Sequence, residues 1–150
     1  MDDTATRDEH FRRLTRMYHS ARINHSIPSC MTITADQVEV HMRVTTDYWH
    51  SAHAMHGSMY FKGLDDAAFF AANAVVEDAF VLTARFEVEL LGMVTCESVK
   101  AIGTIDRREG RKIWARSELF DDTNTLVARG QGLFIVSDIP LTEAVGYADD

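Results

Sequence analysis

The spacing of apolar and polar positions divides the chain into helical and strand-like segments. Between Arg7 and Arg22, Phe11, Leu14, Met17 and Tyr18 recur at helical spacing with charges between them, which predicts a short N-terminal helix. Pro28, in "INHSIPSC", marks a turn after it. In "MTITADQVEVHMRVTT", Val38, Val40, Met42 and Val44 alternate with Glu39, His41 and Arg43, the period of a half-buried strand. "ITADQV" fits a hairpin turn between two short strands. From Met59 to Val76 the chain is apolar apart from Lys62, Asp65, Asp66 and Asn73, rich in alanine and free of proline, which predicts a long helix from about Gly57 to Val76. From Ala79 onward the period changes. "FVLTARFEVELL", "TCESVKAIGTIDRRE", "RKIWARSELFDD" and "TLVARGQGLFIVS" read as four strands in antiparallel succession, with turn-like breaks at "DRREGR" and "DDTNT". The closing "IPLTEAVGYADD" is weakly specified.

Helices segregated from a run of sequential strands indicate an α+β fold. The long helix is apolar on nearly every side and must be covered nearly all round. A curved antiparallel sheet wrapped about that helix does this. A chain of 150 residues suits one core, so a single domain over 1–150 is expected, with an N-terminal helix within 1–25 and a tail at 138–150. The composition, 46% hydrophobic and 25% charged, is that of a globular chain and excludes disorder. A net charge of −8 with scattered basic residues argues against nucleic acid and anionic membrane as main partners. The segment after Gly57, interrupted by Lys62, Asp65 and Asp66, is a poor membrane span and a good buried helix. The polar N-terminus shows no secretory signal, and Cys30 and Cys96 form no CxxC pair. Free thiols and a cytoplasmic location are therefore expected.

Candidate chemistry begins with the charges on the long helix. At 100° per residue Lys62, Asp66 and Asn73 share one polar stripe, and Lys62 and Asp66 are an i,i+4 pair. Asp66 is read as a partly solvated helix charge. Asp65 faces away from that stripe, among Phe61, Ala68, Phe69 and Ala72. A carboxylate in such company is costly unless satisfied or neutral. It either bonds a buried group or subunit contact, or serves as a general base or nucleophile in an apolar cleft.

Ahead of the helix stands "HSAHAMHGS", with His50, His53 and His56 spaced three apart. Three readings are open. The histidines could ligate zinc, although the stretch is not HExxH and a helix would spread them over about 120°. They could belong to a solvated loop. Or the loop could build an oxyanion site, because Gly57 opens the helix, helix N-termini offer unpaired N–H groups, and a glycine admits close approach.

"HAMHGSMYFKGLDDAAFFAAN" resembles the His-Gly-Gly helix of hotdog-fold acyl-CoA thioesterases of the phenylacetate-pathway type. The resemblance spans roughly residues 35 to 137 and agrees with the strand order read above. In that family a His-Gly-Gly opens the central helix and an aspartate eight residues beyond the first glycine carries the chemistry; Gly57 and Asp65 have that spacing. "VLTARFEVELLGMV" is similar to the following strand, which implies a role for Thr83 beside the catalytic acid. Two positions depart from the pattern. The second glycine is Ser58, and the asparagine seven residues before the first glycine, which helps bind the thioester carbonyl, is His50. A histidine can also donate a hydrogen bond. Gly63 replaces an apolar residue, so alignment on Leu64 alone would select Asp66. The eight-residue spacing, the Asp-x-Ala pattern and the helix face select Asp65.

Gly57 and Asp65 are eight residues apart, about 12 Å of helix rise. Catalytic contacts need about 3 Å, so the two can act on one bond only from different subunits, in a homodimer or dimer of dimers. The resemblance thus implies hydrolysis of an acyl-CoA thioester without metal or other cofactor. Gly57 and His50 would bind the carbonyl oxygen, the partner's Asp65 would activate water or attack, and Thr83 would orient the water or the carboxylate. His56 fixes the loop and with Ser58 borders the substrate. Phe61, Phe69 and Phe70 could line an apolar acyl pocket, and Arg107, Arg108, Arg111 or Lys112 could meet the CoA phosphates. Competing readings are a non-catalytic acyl-CoA-binding hotdog dimer and an enoyl-CoA hydratase-type hotdog using Asp47 and His53.

Overall fold

The computed structural model describes residues 3–150. Helix α1 (Asp3–Ser20) begins and ends earlier than the spacing of its apolar residues implies, and a separate one-turn helix, α2 (Ile23–Ser26), follows it. The helix expected within 1–25 is therefore two, with Met1 and Asp2 outside the described residues. The break is stabilised locally: Asn24 donates through Nδ2 to the Tyr18 carbonyl at 2.7 Å, satisfying one of the open carbonyls at the end of α1. Strands β1 (Ser29–Ile33) and β2 (Val38–Arg43) form the expected hairpin. Then come α3 (Gly57–Asn73), β3 (Ala79–Leu90), β4 (Ser98–Glu109), β5 (Lys112–Phe120) and β6 (Leu126–Pro140).

The strands make one antiparallel sheet in the order β1-β2-β4-β5-β6-β3. Strands β4 to β6 follow one another as expected. The first of the four does not. Both sides of β4 are taken, by β2 and β5, so β3 crosses to the far edge and pairs with β6. Among the described residues one long edge of β3 is left unpaired.

Helix α3 touches every strand from β2 to β6, so the sheet curves around it. Leu64, Ala67, Ala68 and Ala72 on the helix meet Val40, Ala101, Ile113 and Phe134 from the strands, all buried. Small residues set the approach. A side chain at Gly103 would lie 2.1 Å from the Ala67 carbonyl oxygen, so β4 rests directly on the helix backbone there. Asn73, fully buried, closes the helix: its Nδ2 donates to the Val76 and Ala79 carbonyls at 3.1 Å each, and its Oδ1 accepts the Val81 N–H at 3.0 Å.

The end of the chain is better anchored than its sequence implies. Asp138, Ile139 and Pro140 complete β6. The residues beyond dock on α1 through Arg16, which donates to the Gly146 carbonyl at 2.8 Å, and Arg13, which pairs with Asp149 at 3.0 Å. Buried His10 donates from Nε2 to the Asn73 carbonyl at 3.0 Å and accepts the Tyr147 hydroxyl at Nδ1, 2.7 Å away. Desolvation lowers its pKa, which suits the neutral ring that this pairing requires. No helix among the described residues is long and apolar enough to cross a membrane.

Gly103→Ala is expected to destabilise the fold by about 3 kcal/mol, because backbone and not a flexible side chain blocks the new methyl. Chemical denaturation checks this; wild-type stability would show that α3 can move off β4 freely.

Candidate active site

Helix α3 and strand β3 lie side by side and run in opposite directions. A Cβ at Gly57 would meet Leu90 at 3.5 Å. Phe61 stacks edge-on against Phe86, centroids 5.4 Å apart. Thr83 Oγ1 donates to Asp65 Oδ1 at 3.0 Å. Phe69 packs on Phe80 at 5.2 Å. One helix stripe, residues 57, 61, 65 and 69, thus faces one strand. Thr83 and Phe86 are three apart and in a regular strand would face opposite sides. A bulge solves this: pairing passes from Thr83–Phe134 to Arg85–Leu133 with Ala84 extra.

The structure therefore brings Asp65 and Thr83 together. Desolvation pushes the Asp65 carboxyl up to about 6; the Thr83 hydrogen bond opposes this, Asp66 adds to it, and Lys62 opposes it. The pair is open on one side. Thr83 is exposed, as are Phe61 on α3 (42%) and, along β3, Leu82 (47%) and Leu90 (57%). A groove of about 960 Å³ lies elsewhere, on the outer sheet face around Glu87, Arg116 and Arg129, and touches neither Asp65 nor Gly57.

The histidine loop is held by backbone bonds: Met55 N–H to the Val94 carbonyl at 2.9 Å and His56 N–H to the Tyr48 carbonyl at 2.8 Å. His56 is the N-cap of α3, its Nδ1 accepting the Ser58 N–H at 3.0 Å and lying 2.8 Å from the Ser58 hydroxyl. Met59 N–H donates to the His56 carbonyl. The Gly57 N–H has no hydrogen-bond partner among the described residues. His50 is exposed, and its Nδ1 accepts the Ala52 N–H at 3.1 Å. In the neutral ring this leaves Nε2–H as a donor. His53, in the left-handed region at φ 63°, stands edge-on to Trp49. The three histidines do not converge, and among the described residues no three His, Cys, Asp or Glu side chains are grouped to hold a metal ion. Asp47 is exposed on a short 3-10 turn.

Several neighbours were not legible in advance. Phe69 packs on Phe70 and Phe134 as well as Phe80, so it is largely core. Arg108 donates to the Val75 carbonyl at 2.8 Å, Arg111 binds Asp138 at 3.0 Å, and Arg107 stacks on Trp114 at 3.9 Å. Asp66 is the partly exposed partner of Lys62 that helix spacing implies, and it has a second partner that the spacing does not show. It pairs with Lys62 and accepts the Tyr18 hydroxyl at 2.9 Å, and both its side chain and that of Lys62 are mostly covered. Burial raises its pKa, against the opposing effects of Lys62 and Tyr18.

No family model matches the sequence, and no curated protein matches it. Solved structures do. The E. coli PaaI protein from the phenylacetic acid degradation operon superposes with a TM-score of 0.81 at 14% identity, covering 90% of this chain and 98% of that one. A Shewanella oneidensis protein related to the thioesterase superfamily gives 0.80 at 19% identity, with 88% and 98% covered. The chain has the hotdog fold. A Haemophilus influenzae thioesterase superposes with 0.74 at 14% identity, over 81% of this chain and 87% of that one. Likeness at these identities establishes the architecture; the chemistry rests on the site.

The elevated Asp65 has a consequence for stability. A carboxyl whose folded-state pKa, about 6, exceeds its ordinary 3.8 stabilises the fold while protonated. That stability is fully present below 3.8 and is lost as pH rises through 6, up to about 3 kcal/mol. Asp65→Asn is therefore expected to melt higher than wild type at pH 8 and about equally at pH 3.5. Melting curves that keep a constant offset across that range would disprove the assignment.

Proposed function

We propose that the protein is a dimeric acyl-CoA thioesterase. One observation carries the reading: Asp65, raised toward neutrality and held by Thr83, lies on an open apolar face of the same helix whose first N–H, at Gly57, has no partner among the described residues. The hotdog fold shared with thioesterase-superfamily proteins supports it.

The two groups are eight residues apart on α3, about 12 Å. One site therefore takes Gly57 from one protomer and Asp65 from the other. The unpaired edge of β3, with Leu82 and Leu90 exposed, is the surface a second copy would cover. In the reaction Asp65 accepts a proton from water, and the resulting hydroxide adds to the thioester carbonyl. The oxygen becomes an oxyanion held by the Gly57 N–H and by His50. The intermediate then expels CoA thiolate, which is reprotonated, and releases the free acid. Direct attack by Asp65 would form a mixed anhydride that water then opens. Thr83 orients the carboxylate. His56 and Ser58 shape the mouth, and Phe61, with the exposed edge of Phe69, supplies an apolar wall for the acyl group. CoA is part of the substrate, and neither route needs a metal or redox cofactor. A CoA ester substrate and two free cysteines suit the cytoplasm.

Asp65→Asn is expected to lower thiol release from acyl-CoAs at least about a hundredfold. Activity in wild type should rise with pH through an acidic limb near 6. Equal turnover in both proteins would make Asp65 structural, and saturable binding without turnover would favour a non-catalytic acyl-CoA-binding dimer. Shared sites make a second prediction. Inactive Asp65→Asn and inactive Gly57→Val chains, unfolded and refolded together, should regain activity, because each mixed dimer holds one intact site. Failure to regain it, with mixed dimers present, would rule out the cross-subunit arrangement.

A further inference from the structure

Behind the Asp65 face, α3 carries a ring of bonds that the proposed reaction does not use. Lys62 pairs with Asp66 one turn on, and its Nζ also donates to Asn24 Oδ1 at 2.6 Å. Asn24 donates to the Tyr18 carbonyl at 2.7 Å, and the Tyr18 hydroxyl returns to Asp66 at 2.9 Å. Tyr18 and Asn24 are 2% and 7% exposed. Covering an ion pair in this way seldom adds net stability over apolar packing. The ring nevertheless joins α1, α2 and α3 at the turn that bears Asp65.

The groups around Asp65 are few. The strands turn Phe86 of β3, Ala101 of β4, Ser117 of β5 and Phe134 of β6 toward α3, none of them charged. From α1, Tyr18 reaches Asp66, and His10 meets the helix only at its far end, at Asn73. Among the described residues the charges acting on Asp65 are Asp66 and Lys62, with the anion the larger influence.

We propose that Asp66 is a positioning residue for the thioesterase reaction: clamped by Lys62 and Tyr18, its carboxylate is held beside Asp65 and sets the helix turn that aims Asp65 at Thr83. Its repulsion makes Asp65 a stronger base than apolar surroundings and the Thr83 hydroxyl alone would make it. The proposal rests on the reading of Asp65 as the base.

The test is a carbon-13 titration of labelled aspartate carboxyls in wild type, Asp66→Asn and the charge-neutral pair Lys62→Gln with Asp66→Asn. The Asp65 signal is identified by its absence in Asp65→Asn. The Asp65 midpoint should fall in Asp66→Asn and fall less in the double variant. The acidic limb of kcat/KM should move the same way, with plateau kcat reduced roughly threefold and KM unchanged. An Asp65 midpoint that stays put in both variants while their melting temperatures drop would overturn the proposal and leave the ring purely structural. If Asp66→Asn fails to fold, the double variant, which strands no lone charge, decides. Absence of turnover in wild type would remove the thioesterase reading, yet the midpoints would still show whether Asp66 controls Asp65.

Discussion

A helix enclosed by a curved sheet can carry a polar side chain only where that side chain has somewhere to go. Beyond its first turn, helix α3 shows this at Lys62, Asp65, Asp66 and Asn73. Asn73 turns on the backbone and locks the helix end to the start of β3. Lys62 and Asp66 reach α1 and α2. Asp65 points to the sheet's free edge and meets Thr83. These outlets decide where the N-terminal helices dock and which side of the core stays open.

The opening follows from topology. Because β3 crosses to the edge beyond β6, the strand beside Asp65 is paired on one side only among the described residues. An exposed edge of twelve residues with leucines at both ends is a liability for a lone chain. A second copy laid along it would remove that liability. It would also deliver the helix N-terminus that Asp65 cannot reach on its own helix. The free edge of β3 thus carries exposed Leu82 and Leu90, while the separation of Gly57 from Asp65 is fixed by α3 itself.

Much of this was legible in the sequence. The alternation of Val38, Val40 and Met42, the alanine-rich run after Gly57 and the four later strands carry local signals that tertiary structure did not overrule. The angular position of Asp65 was also readable, since it depends on helix geometry alone. What could not be read depends on contacts between distant segments. The place of β3 is decided by which strands occupy the sides of β4. The bulge at Ala84 shows only in the pairing with β6. Asp66 showed only its i,i+4 pairing with Lys62, because Tyr18, which donates to it, lies 48 positions away in the chain. The tail looked unanchored because Arg13 and Arg16 on α1 hold it.

The departure at Ser58 has a structural meaning. Its hydroxyl lies 2.8 Å from His56 Nδ1, a contact a glycine could not make. Here the Ser58 N–H is taken by the imidazole of His56, which caps the helix. Among the described residues the loop therefore leaves one backbone donor open at the start of α3, the Gly57 N–H. A tetrahedral oxyanion is held best by two donors. His50 sits in the same loop, and its Nδ1 is already occupied by the Ala52 N–H, which fixes the neutral tautomer and leaves Nε2–H free to donate. Capping by His56 occupies the second backbone N–H of α3, and the Nε2–H of His50, in the same loop, is a donor that this cap leaves untouched.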